Sequence, residues 1–125
     1  VSKYLETATP NLFGDAFKKA NPAAIQNVID SGLGISQEAM IQFVFAMRNR
    51  KAMTHLLQQH TIPVWMIAGE ADLAVTIQDS LEQIKLLPSS NSLVLKEVGH
   101  MGMLEATDLV NQFIKKMLVG DKDAL

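Results

Sequence analysis

No segment of the chain narrows the fold more than the apolar run Ile62-Pro-Val-Trp-Met-Ile-Ala-Gly69. It is too short for a helix and apolar at every position rather than at alternate ones, which predicts a strand buried on both faces, as in a parallel sheet. Thr76 to Leu87 places Ile77, Leu81, Ile84 and Leu87 on one helical face and is broken by Pro88-Ser-Ser-Asn91. Ser92 to Val98, with Leu93, Val94, Leu95 and Val98, reads as a second strand. From Thr107 the pairs Leu109/Val110, Phe113/Ile114 and Met117/Leu118 recur every four residues until Gly120, beyond which a solvated tail is expected. Strand, crossover helix and strand in one sheet make a right-handed parallel unit that needs helical cover.

The first sixty residues offer helices only. Asn11 to Phe17 carries apolar residues at helical spacing, weakened by Gly14. Asn21-Pro22 is a helix start, and Ile25, Val28 and Ile29 form its buried stripe. Gly32 and Gly34 are expected to end that helix in conformations other residues resist, with Ser36 capping the next. A long helix is then predicted over 37–59, with a bend or break at Arg48 to Lys51. The fold class is therefore α/β, with a helical region over 1–60 and a two-stranded parallel βαβα unit over 61–125. Two strands are a thin sheet, and a doubly wound domain alternates strand and helix more often.

Lys and Arg number 11 against 13 Asp and Glu, a net charge of -2, and no basic cluster is present, so a nucleic-acid partner is not expected. Zero cysteines exclude disulfides, thiolate zinc sites and a cysteine nucleophile, and fit a cytoplasmic location. Val1 to Pro10 lacks the apolar core of a signal peptide, and no apolar run approaches the ~20 residues that span a bilayer, so no membrane partner is expected.

Two loops carry candidate chemistry. Gly69-Glu-Ala-Asp72 puts a carboxylate just past the C-terminal end of the first strand, where sites in parallel sheets collect. Val98-Gly-His100-Met-Gly puts an imidazole past the end of the second, on the same rim. An acid beside a histidine is two thirds of a nucleophilic triad, the carboxylate orienting the ring and the ring taking a proton from a hydroxyl. Each residue taken alone reads equally well as an ordinary loop side chain. Met101, directly after the histidine, is the candidate substrate-binding residue at the pocket mouth.

Pro63-Val-Trp-Met-Ile-Ala-Gly-Glu-Ala-Asp72 resembles the late strand of the alpha/beta-hydrolase fold family that ends in the triad acid. Val98-Gly-His-Met-Gly-Met-Leu-Glu105 is similar to that family's histidine loop, and the 28 positions between Asp72 and His100 match its last strand-helix-strand segment. The resemblance covers residues 62–119. It implies Asp72 as triad acid and His100 as general base, and it makes Ser36 to Gln59 look like cap helices. Thr76 and Thr107 stand where many members have proline. The family's Gly-x-Ser-x-Gly elbow is not found, and Asp30-Ser31-Gly32-Leu33-Gly34 follows a helix instead of a strand. The resemblance thus implies the C-terminal portion of a serine hydrolase acting on an ester-like bond of a small molecule, its nucleophile supplied by a missing N-terminal portion. The alternative is a complete non-enzymatic interaction module.

The remaining candidates are structural. His55 and His60 are five apart, about 140° around a helix, and make no one-face metal pair, so neither a metal nor another cofactor is expected. Trp65 is assigned to packing, and Glu70 and Glu105 to nearby backbone N–H groups. An outer strand edge without a partner predicts a homo-oligomer, paired through Ile62 to Ala68 or through the N-terminal helices.

Overall fold

In a computed structural model of the chain, which describes residues 1–59 and 62–119, helices dominate and a small parallel sheet makes the fold mixed α/β. The order is α1 (Ser2–Ala8), α2 (Asp15–Ala20), α3 (Pro22–Gly32), α4 (Gln37–Asn49), β1 (Met66–Gly69), α5 (Ile77–Ile84), β2 (Ser92–Leu95), α6 (Gly102–Glu105) and α7 (Thr107–Val119). Short 3-10 turns occupy Thr9–Leu12, Thr54–Gln58 and Ser89–Asn91. No helix among the described residues is long and apolar enough to cross a membrane.

β1 and β2 pair in parallel, with Met66 opposite Ser92 and Gly69 opposite Leu95. Both strands are shorter than their apolar runs, and neither face is sealed: Ile67 and Val94, which point to opposite faces, are 36% and 43% exposed. The expectation of a strand buried on both faces is corrected accordingly, because too few helices pack on so narrow a sheet. Leu95, Val98 and Val110 form one buried cluster, joined by Leu93 and Ala106. Trp65 meets Phe113 edge to face at 5.5 Å, the packing role its strand position implied. A second cluster, Phe13, Ile25 and Ile29, ties the N-terminal helices together.

Capping explains where several helices begin. The Ser36 hydroxyl accepts from the Ala39 N–H at 3.1 Å, and that of Thr76 accepts from the Asp79 N–H at 3.2 Å. Asn21 precedes Pro22 as expected, yet its amide donates backward to the Phe17 carbonyl instead of capping forward.

Two further expectations are overturned. Asn11 to Phe17 is no single helix, since Phe13 and Gly14 are extended and separate a 3-10 turn from α2. Gly32 and Gly34 adopt no left-handed conformation. Leu33 ends α3 in right-handed geometry, and a Cβ on Gly32 would press on Leu5 of α1. The break expected between Arg48 and Lys51 is present: α4 stops at Asn49, where Arg50 turns extended, and His55 beyond it lies on a 3-10 turn, while His60 and Gly120 fall outside the described residues. α1 itself was not foreseen.

Candidate active site

β1 and β2 both run toward one rim, and the loops that leave them are stitched together by main chain. The Glu70 N–H donates to the Leu95 carbonyl at 2.9 Å, and that of Ala71 to the Val98 carbonyl at 2.8 Å. Gly69 allows this approach, because a Cβ there would overlap the carbonyl oxygens of Gly99 and Val98. Glu97, just ahead of the histidine, holds a left-handed backbone with φ 59°, a conformation that costs a non-glycine residue about 1 kcal/mol or more.

Asp72 and His100 meet across this seam, Oδ2 to Nδ1, at 2.7 Å. The other carboxylate oxygen accepts from the N–H groups of Ala74 (2.8 Å) and Val75 (3.0 Å), so the acid is fixed before it meets the ring. Its side chain is 9% exposed and that of His100 43%. Burial raises the Asp72 pKa, but the Val75 N–H, the His100 ring and the Ala74 N–H together outweigh it and hold the carboxyl below its ordinary value. A carboxylate only accepts, so Nδ1 is the donor. Nε2 of the neutral ring then carries the lone pair, and among the described residues the ring makes no other hydrogen bond. This is the protonation pattern of a general base.

The pair lines a cavity of about 170 Å³ that also touches Val75, Ser80, Gly99 and Gly102. Ser80 is buried within α5 and makes no hydrogen bond to the ring. Ser31 bonds back to the carbonyls of Asn27 and Val28, as a helix-end residue does. Met101 does not line this cavity; it packs against the Phe13, Ile25 and Ile29 cluster, and its N–H donates to the Leu12 carbonyl. No group of acidic or histidine side chains suited to a metal ion occurs among the described residues.

The sequence reading missed a strap. Leu12 to Gly14 lies across the histidine loop, where the Leu12 carbonyl accepts from the N–H groups of His100 (2.7 Å) and Met101 (3.2 Å). The Glu105 carboxylate accepts from Gly14 at 2.8 Å and from Gly99 at 3.1 Å, and Glu70 accepts from the Glu97 N–H at 3.3 Å. The assignment of both glutamates to backbone is thus observed, but Glu105 reaches 91 residues back along the chain. Gly14, directly after Phe13, was the only local signal. Compared with known proteins, the chain matches no family model and no curated protein.

Proposed function

We propose that the chain is the C-terminal portion of a serine hydrolase of the alpha/beta-hydrolase fold, acting on an ester-like bond of a small molecule. The observation that carries this reading is the 2.7 Å contact between Asp72 and His100 at the shared end of two parallel strands, with the acid anchored by two further N–H groups. Asp72 orients the ring and stabilises its positive charge. His100 takes the proton of a hydroxyl at Nε2 and returns it to the leaving group. The attacking serine and the donors for the oxyanion come from the N-terminal portion of the parent enzyme.

The upstream reading frame tests this. A Gly-x-Ser-x-Gly elbow in frame supports the hydrolase, and a stop codon immediately before Val1 favours the interaction module. With the elbow restored, His100→Ala abolishes turnover of an activated ester and Asp72→Asn lowers kcat by about 10⁴-fold. The 125-residue chain alone shows no hydrolysis above buffer. Turnover that disappears on His100→Ala would overturn the assignment of the nucleophile to another segment.

The module reading draws on α4, which buries no residue and exposes Ile41, Phe43, Val44, Phe45 and Met47. In the hydrolase reading this face is covered by the parent's larger core or, in this chain, by a second copy. Light scattering at micromolar concentration decides the latter, and a stable monomer would defeat self-association.

A further inference from the structure

We infer that Glu105 is a positioning residue for the Asp72–His100 pair, holding the histidine loop in the one arrangement that presents Nδ1 to the acid. The inference rests on the reading of Asp72 and His100 as acid and base. Glu105 brackets His100 from both sides. Its carboxylate accepts from the N–H of Gly99, the residue before the histidine, and its own N–H donates to the carbonyl of Met101, the residue after, at 3.0 Å. These two contacts close residues 99–105 into a ring that contains His100.

The same carboxylate fixes the strap. Gly14 donates to Oε2 at 2.8 Å, which seats Leu12 so that its carbonyl receives the His100 N–H. A Cβ on Gly99 would stand 2.7 Å from the Leu12 oxygen and 2.8 Å from the Gly14 nitrogen, so strap and loop touch main chain to main chain. Glu105 therefore controls the histidine's backbone through Gly99 and, by way of the strap, through His100's own N–H. It makes no hydrogen bond to the imidazole among the described residues, which separates positioning from catalysis.

The site suits a carboxylate best, because both of its oxygens face N–H groups. Two converging N–H groups need acceptor oxygens and tolerate no donor. Oε2 accepts from both Gly14 and Gly99, so glutamine with its oxygen there keeps one bond to each but sets an NH₂ in place of the second Gly99 contact, donor against donor. Alanine leaves both N–H groups without a partner.

The test is the tautomer of His100, read from ¹⁵N shifts of the neutral ring in the full 125-residue chain. Wild type shows the Nδ1–H form. Glu105→Ala shifts the ring to the Nε2–H form that free imidazole prefers, Glu105→Gln falls between the two, and amide exchange at Gly99 rises about tenfold or more. Ser36→Ala, which removes a remote helix cap, leaves the tautomer unchanged. An Nδ1–H ring in wild type that persists in Glu105→Ala overturns the inference and leaves the acid–base pair standing. If Glu105→Ala does not fold, Glu105→Gln decides alone: a mixed tautomer supports positioning, and a wild-type spectrum overturns it. An Nε2–H ring in wild type overturns the pair itself, and the inference with it. A tautomer change in Ser36→Ala equal to that in Glu105→Ala reduces the effect to general loosening and overturns positioning.

Discussion

At the rim beyond β1 and β2, four segments satisfy one another's polar groups at 2.7 to 3.2 Å: the acid loop, the histidine loop, α6 and the Leu12 to Gly14 strap. Helix α4 has a capped first turn and apolar side chains in solvent, Phe43 being 64% exposed. The rim is held by contacts distant in sequence, so its geometry survives without a bound partner. α4 buries no residue, and helices with little packing are marginal in water. The first region is fixed by its own polar contacts, and the second leaves its apolar side chains uncovered.

The contrast breaks most severely at Gly69. Gly69→Ala sets a Cβ against the Gly99 carbonyl and costs about 3 kcal/mol by urea unfolding, because backbone on both sides has nowhere to move. Gly34→Ala, which meets nothing within 4 Å, changes stability by less than about 1 kcal/mol. Equal losses at the two sites would erase the distinction between seam and periphery.

Asp72→Ala comes next, at about 2 kcal/mol, since it orphans the Ala74 and Val75 N–H groups beside the ring. The Asp72 carboxyl lies below its ordinary value near 3.8, so its contribution is complete above the unfolded-state pKa and is lost as pH falls through the folded one. The acid limb of a stability profile below about pH 4 is therefore shallower in Asp72→Asn than in wild type. It does not vanish, because the hydrogen bond and charge of Lys18 hold Asp15 low as well.

On the α4 side, Ser36→Ala removes the cap for about 1 kcal/mol or less of helix stability, read as faster amide exchange confined to 37–49. The smallest effect belongs to Phe43→Ser with Phe45→Ser, within about 0.5 kcal/mol of wild type in unfolding, yet reducing any self-association seen by light scattering. A large loss of monomer stability there would show that the helix is packed in solution.

The sequence made the acid and the histidine legible because each follows an apolar strand by a few residues, and parallel strands bring such positions to one rim. Ser36 was legible for a similar reason, since capping is decided within four residues. The strap was not. Gly14 reads locally as a helix defect, and its use, donating to Glu105, depends on a residue 91 positions away. Sequence adjacency to His100 does not say which side of the loop Met101 takes, and its side chain packs on the Phe13 cluster. Gly32 was misread as a turn residue when its small size serves contact with Leu5.

The main-chain contact at Gly69 has one more consequence. Where two strands are spaced by side chains, every core substitution alters the gap between the loops that follow, and the reach between two reacting groups drifts with it. Here carbonyl oxygens rest against a bare Cα, so the gap is a property of the peptide unit, whose dimensions do not vary. Strand residues such as Ile67 and Val94 are free to be exchanged by mutation over generations while the acid stays the same distance from the ring, as marks on a ruler keep their spacing when the ruler is repainted.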